Sequence, residues 1–81
     1  MNTEDARAAV VDALARIAPE ADLDEVDPGA DLRSEIDLDS MDFLGLVEAL
    51  AESTGVDIPE DAYREVRSLD GLVAYLVRRA A

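Results

Sequence analysis

Ser40 carries the side chain best placed to do chemistry in this chain, because its hydroxyl lies where a long acidic stretch meets a helical pattern. The sequence offers nothing to activate that hydroxyl. It contains no His to serve as a general base, no Cys to serve as a thiol nucleophile and no Lys. We therefore expect no catalytic residue, and we expect Ser40 to be a substrate for another enzyme. A serine that only begins a helix is the plainer alternative.

The composition predicts one small domain spanning residues 1–81. With 81 residues, 49% of them hydrophobic, the chain can build a single modest core. Without Cys it has no disulfides to reinforce that core, which is compatible with a reducing cytosol. The polar N-terminus lacks the pattern of a signal peptide, and no apolar run approaches the roughly 20 residues needed to span a bilayer. We expect a soluble, monomeric, cytoplasmic protein.

The formal net charge of -13 is concentrated around Ser40. Residues 20–61 hold fifteen of the 20 acidic residues and only one of the seven arginines. Such a field repels nucleic acid and anionic membranes, and it speeds encounter with basic protein surfaces. We expect protein partners, with neither nucleic acid nor membrane among them. A surface that only keeps the protein soluble is the simpler interpretation.

The apolar spacing predicts a small all-α four-helix bundle with three longer helices, a short third helix and a long first loop. The first helix begins near Thr3 and ends before Pro19. Residues 18–38 form the long loop, which we expect to be pinned to the core and to contain a short helical turn. The third helix covers about residues 60–66, and Ser68 caps the fourth. Residues of the first and fourth helices predicted to face the core are Ala6, Val10, Ala13, Leu14, Ile17, Leu69, Leu72, Val73 and Leu76.

The second helix is the element that must position Ser40. It is predicted over about residues 40–53, with Asp39 as its N-cap and Gly55 as its stop. The apolar side chains that share its inward face are Phe43, Leu46, Val47 and Leu50.

Two more apolar residues of this helix, Met41 and Leu44, lie off the centre of the inward face. Acidic side chains rim them: Asp42, Glu48 and Glu52. An apolar spot with an acidic rim is typical of a docking surface for a basic-rimmed groove. The alternative is a broader inward face that buries both apolar residues.

Three runs of this sequence resemble the acyl carrier protein family. Residues 37–44 read Asp-Leu-Asp-Ser-Met-Asp-Phe-Leu, residues 47–50 read Val-Glu-Ala-Leu and residues 55–60 read Gly-Val-Asp-Ile-Pro-Glu. In that family an Asp-Ser-Leu motif opens the second helix and an Ile-Pro precedes the third. Length, acidity, the long first loop and the last helix are also similar, so the resemblance covers nearly the whole chain.

The chain departs from the usual family pattern at three places. Met41 stands where Leu is usual, a change close in volume. Asp37 and Leu38 stand where small residues, often Gly, precede the Asp-Ser pair, and we expect them to stiffen the approach to Ser40. Gly45 replaces a polar or acidic helix former, at a cost of about 1 kcal/mol relative to Ala.

The resemblance implies that Ser40 is the attachment point of 4′-phosphopantetheine, transferred from coenzyme A by a separate, magnesium-dependent phosphopantetheinyl transferase. The terminal thiol of that group carries acyl or aminoacyl groups as thioesters, which supplies the thiol that a chain without Cys lacks. The chain would then be a carrier and not an enzyme. Its partners would be acyl- or aminoacyl-loading ligases, synthases and transferases with basic docking surfaces, in fatty acid, polyketide or related biosynthesis.

The resemblance and the helix pattern together also indicate the residues expected to recognise partners and to contact a carried chain. Those expected to take part in partner recognition are Asp39, Met41, Asp42, Leu44, Glu48 and Glu52. The carried chain is expected to tuck between helices, against Leu46, Val47, Val66 and Leu72.

Two other classes of function compete with a carrier. An acidic helical adaptor would bind a basic partner through the same surface without modification of Ser40. A dedicated calcium site is not expected, because Val26 and Met41 stand at ligand positions of the two Asp-x-Asp runs, and neither run has the required Gly. We therefore expect no metal site.

Overall fold

The computed structural model describes residues 1–80. In this part of the chain there are four α-helices: α1 (Thr3–Ile17), α2 (Leu32–Glu35), α3 (Ser40–Thr54) and α4 (Leu69–Arg79). Single 3₁₀ turns lie at Leu23–Glu25 and Glu60–Ala62. Residues 1–80 contain no strand, so the prediction of a small all-α bundle is confirmed.

The core forms where α1 packs against both α3 and α4. The residues predicted to face inward from these three helices are buried, except Ile17, which is half-buried. No polar or charged residue among residues 1–80 is buried as a whole. Burial of these apolar faces is the main stabilising term, because each buried Leu or Val side chain contributes about 1.5–3 kcal/mol relative to its exposed state.

The long first loop is attached to the core, as predicted, by side chains and by backbone hydrogen bonds. Its buried apolar residues are Val26, Leu32 and Leu38. The backbone N–H of Leu32 donates to the carbonyl of Arg67 at 2.8 Å, and that of Asp70 donates to the carbonyl of Pro28 at 2.9 Å. These two bonds tie the loop to the segment that precedes α4. The predicted helical turn is present twice, as Leu23–Glu25 and as α2.

The predicted third helix is shorter than the pattern indicated. Its only helical turn is Glu60–Ala62, and residues 63–66 continue as hydrogen-bonded turns. The bonds close on the carbonyl three residues back, as from Val66 N–H to the Tyr63 carbonyl at 3.3 Å. This tighter geometry is typical of short segments. It brings both Ala62 and Val66 into the core, so that tertiary packing overrides the α-helical pattern.

Two helical glycines differ in what surrounds them. A Cβ on Gly71, in the first turn of α4, would overlap the carbonyl oxygen of Glu65 and lie 3.1 Å from Ser68 Oγ. A Cβ on Gly45, within α3, would meet Ile17 Cδ1 at an ordinary 3.7 Å. The turn before α4 therefore needs a glycine at position 71, whereas α3 has room for a side chain at position 45.

We predict opposite effects for alanine at these two positions. Gly45→Ala should raise the free energy of unfolding by up to about 1 kcal/mol, through helix propensity. Gly71→Ala should lower it by about 1–3 kcal/mol, because the backbone of the preceding turn must move. Urea unfolding followed by circular dichroism measures both. A Gly71→Ala variant as stable as the parent chain would contradict the described packing.

Candidate functional site

Ser40 is exposed and is the first residue of α3. The helix begins there because Asp39 and Asp42 form a capping box. The Asp39 carboxylate accepts from the backbone N–H of Asp42 at 2.8 Å, and the Asp42 carboxylate accepts from the N–H of Asp39 at 3.4 Å. The prediction that Asp39 is the N-cap is confirmed, and Gly55 ends the helix in the left-handed conformation, with φ of 74°.

The first turn of α3 presents unused hydrogen-bond donors beside the Ser40 hydroxyl. The Asp42 N–H donates to the Asp39 carboxylate, and the Phe43 N–H donates to the Asp39 carbonyl. Among residues 1–80, the backbone N–H groups of Ser40 and Met41 have no acceptor. These N–H groups lie at the positive end of the helix dipole. The position is therefore suited to an anionic group such as a phosphodiester bonded to the serine oxygen.

The approach to Ser40 contains a backbone conformation that glycine usually takes. Asp37 has φ of 54°, in the left-handed region. Glycine adopts this region most often, followed by short polar residues such as Asp and Asn. After this turn Leu38 is buried and Ser40 is exposed. The expected stiffness of this approach stays a prediction.

One flank of α3 is exposed and combines apolar and acidic side chains. The exposed fraction is 78% for Met41 and 44% for Leu44, and Glu48 and Glu52 are exposed too. We call these four residues the docking flank. The alternative of a broader inward face that buries Met41 and Leu44 is wrong. Asp39 and Asp42 lie next to the flank, but each also uses a carboxylate oxygen in the cap.

The four residues expected to contact a carried chain belong to the core. Leu46, Val66 and Leu72 are fully buried, and Val47 is 6% exposed. The fold brings them into one hydrophobic cluster, although they come from α3, from the turns after Ala62 and from α4. Their role towards a carried group stays a prediction.

A cavity of about 300 Å³ opens beside Ser40, and its polar walls are mostly basic. Its lining includes Arg33, Arg64 and Arg67, all three of them exposed. The charge distribution along the sequence did not point to this surface, because only Arg33 lies within the acidic stretch around Ser40. Arg64 and Arg67 lie about one turn apart, and this spacing was the available signal for a basic surface. Nothing in the sequence placed that surface beside Ser40.

The remaining observations concern metals and membranes. Residues 1–80 contain no group of three or more His, Cys, Asp or Glu side chains arranged to hold a metal ion. None of the helices described here has the length and apolar character needed to cross a membrane.

The sequence was compared with known proteins. The sequence model of the family described as "Phosphopantetheine attachment site" matches residues 8–76. An acyl carrier protein of Rubrobacter xylanophilus is 32% identical over 56 residues, which are 69% of each chain. An acyl carrier protein of Helicobacter hepaticus is 30% identical over 73 residues, which are 90% of each chain. The prosthetic group of such proteins, 4′-phosphopantetheine, suits the serine at the start of α3, and the chain belongs to the phosphopantetheine-binding acyl carrier protein family.

Proposed function

We propose that Ser40 is the residue that carries 4′-phosphopantetheine, and that the chain delivers acyl intermediates of fatty acid, polyketide or related biosynthesis to partner enzymes. The observation that carries the proposal is the exposed Ser40 hydroxyl at a capped helix N-terminus, with two N–H groups beside it that have no acceptor within residues 1–80. When bound, the group supplies a terminal thiol on which an acyl group is held as a thioester.

The other serines are less suitable attachment points. Ser68 is half-buried, and its hydroxyl accepts a hydrogen bond from the Gly71 N–H at 3.0 Å. Ser53 lies in the last turn of α3, where the helix dipole disfavours an added anion. Ser34 lies in α2, which is only four residues long. Ser40 alone combines an exposed hydroxyl with the start of a long helix.

Attachment requires chemistry that this chain leaves to another protein. The Ser40 oxygen attacks the phosphorus that bears the pantetheine part of coenzyme A. A new O–P bond forms, the pyrophosphate O–P bond breaks, and the adenosine bisphosphate part leaves. In the proposed step the hydroxyl proton passes to a base of the transferase. The contribution of the carrier is to hold Ser40 at a fixed, exposed position.

The docking flank is the surface that we propose for recognition. Its exposed Met41 and Leu44 offer apolar contact, while Glu48 and Glu52 offer charge to basic partner surfaces, including that of the transferase. Charges at the rim of an interface act chiefly on the rate of association, and salt screens them. Asp39 and Asp42 would add to this field.

The carried acyl chain is proposed to lie between helices, against the core residues Leu46, Val47, Val66 and Leu72. These side chains are closely packed in the described structure, so α3 and the turns before α4 would have to separate to admit it. Each buried methylene of the carried chain would contribute about 0.8 kcal/mol to offset that separation.

Incubation with coenzyme A, magnesium and a broad-specificity phosphopantetheinyl transferase should add one phosphopantetheine to the parent chain. Ser40→Ala should abolish the addition, because no other serine has both exposure and a long helix N-terminus. Ser53→Ala is the matched control and should be modified like the parent. Intact mass spectrometry measures all three proteins.

An unmodified parent chain, or a Ser40→Ala chain that still gains one phosphopantetheine, would refute the attachment site. The same variant separates the carrier from an adaptor. A protein that acts only by docking should bind its partner equally well with Ala at position 40, whereas a carrier should lose all acyl transfer.

Glu48→Lys should slow modification by a transferase with a basic docking surface by about fivefold at low salt, since attraction at the docking flank becomes repulsion. The dependence of the rate on NaCl concentration should also flatten. Glu20→Lys makes the same change of charge at an exposed position of the first loop that is not one of the four flank residues, and should have a smaller effect. Equal effects of the two variants would argue for net charge alone and against a docking flank.

A further inference from the structure

The basic residues of this chain are few, and three of them line the cavity beside Ser40. The chain has seven arginines and no lysine against 20 acidic residues. Arg33, Arg64 and Arg67 line the cavity of about 300 Å³ that also contains Ser40 in its wall. Glu60 is the one acidic residue in that lining. The cavity beside the serine is thus a basic site in a protein that is otherwise strongly acidic.

The fold holds the walls of this cavity by specific contacts. The hydrogen bond from the Leu32 N–H to the Arg67 carbonyl, at 2.8 Å, joins the start of α2 to the turn before α4. The Phe43 and Tyr63 rings pack edge to face, with centroids 5.3 Å apart, and join the first turn of α3 to the segment that carries Arg64. Three separate parts of the chain therefore meet at Ser40.

The guanidinium groups around the cavity are not used in ion pairs within the described structure. Among residues 1–80, the single ion pair joins Arg78 to Glu65 at 3.8 Å, at another part of the surface. No carboxylate of that part of the chain lies within 4.0 Å of the guanidinium nitrogens of Arg33, Arg64 or Arg67. The chain has almost three acidic residues for each arginine, yet in the described part of the chain the three arginines of this cavity pair with none of them. They are therefore free to bind an external anion.

We propose that Arg33, Arg64 and Arg67 form an arginine cradle that binds the phosphodiester of the prosthetic group and holds the base of the arm against the protein. The proposal rests on Ser40 being the attachment site. Guanidinium groups bind phosphate oxygens through paired, charge-assisted hydrogen bonds. The free N–H groups of Ser40 and Met41, in the first turn of α3, would also donate to a phosphodiester on Ser40. Three arginines and one glutamate leave an excess of positive charge for the single negative charge of the phosphodiester.

The cradle and the net charge of the whole protein predict opposite effects of adding the prosthetic group on stability. A further negative charge on a chain of net charge -13 should lower its stability through repulsion. With the cradle, addition of the group should instead stabilise the fold.

The test compares the parent chain, an Arg64→Gln/Arg67→Gln variant and an Arg7→Gln/Arg16→Gln variant, each with and without the prosthetic group. The third protein is the control, since it loses the same charge from exposed positions of α1. Complete modification is first verified by intact mass, and circular dichroism verifies that both variants fold. Two quantities are then measured: the melting temperature, and the ³¹P NMR shift of the phosphodiester relative to the same protein in urea.

Modification should raise the melting temperature of the parent and of the Arg7→Gln/Arg16→Gln control by about 4 °C. The Arg64→Gln/Arg67→Gln variant should show no rise, and its ³¹P shift should move to the value of the unfolded protein. Equal ³¹P shifts and equal melting-temperature changes in all three proteins would overturn the cradle while leaving Ser40 as the attachment site. Failure of the mass to increase would instead refute the attachment site itself.

Discussion

Two reciprocal hydrogen bonds between Asp39 and Asp42 fix the residue at which α3 begins, and the usefulness of Ser40 depends on that start. The cap contributes about 1 kcal/mol, but its geometric effect is larger than its energy. In an α-helix each residue turns the side chain by roughly 100°. A start one residue later would remove Ser40 from the helix and its dipole, and would leave the N-cap to a different side chain. With the cap in place, the same helix buries Phe43 and exposes Met41.

The charges of the molecule divide into two surfaces with different ranges of action. The proposed acidic docking flank on α3 would act at a distance and would favour basic partners, and salt would weaken it. The arginine cradle acts at contact, beside the serine, where short charge-assisted hydrogen bonds matter more than net charge. Both properties would serve the proposed carrier, because its partners would approach an acidic protein while its own anionic group would be held near the first turn of α3. The chain contains neither His nor Cys, and we propose that the partner enzymes supply the acyl chemistry.

Local patterns in the sequence predicted much of this fold and part of the site. Helix caps at Asp39 and Ser68, the stop at Gly55 and the buried face around Leu46 depend on neighbours in sequence, so they can be read without a structure. The features that could not be predicted depend on contacts between distant segments. One is the hydrogen bond from the Leu32 N–H to the Arg67 carbonyl, which joins two walls of the arginine cavity. The others are the close approach of Gly71 to the Glu65 carbonyl and the core packing that shortens the third helix. Asp37 is intermediate: the family resemblance marked an unusual residue there, and the structure supplies the left-handed backbone that explains it.

If the carrier acquires its thiol through Ser40, a thiol titration can detect it. The chain has no Cys, so the unmodified protein must give no reaction with a thiol reagent. After reaction with coenzyme A and the transferase, and removal of free coenzyme A, we expect one reactive thiol per folded chain, located by peptide mapping on the fragment that contains Ser40. A fully treated protein that still shows no thiol, or a thiol on a fragment without Ser40, would contradict it.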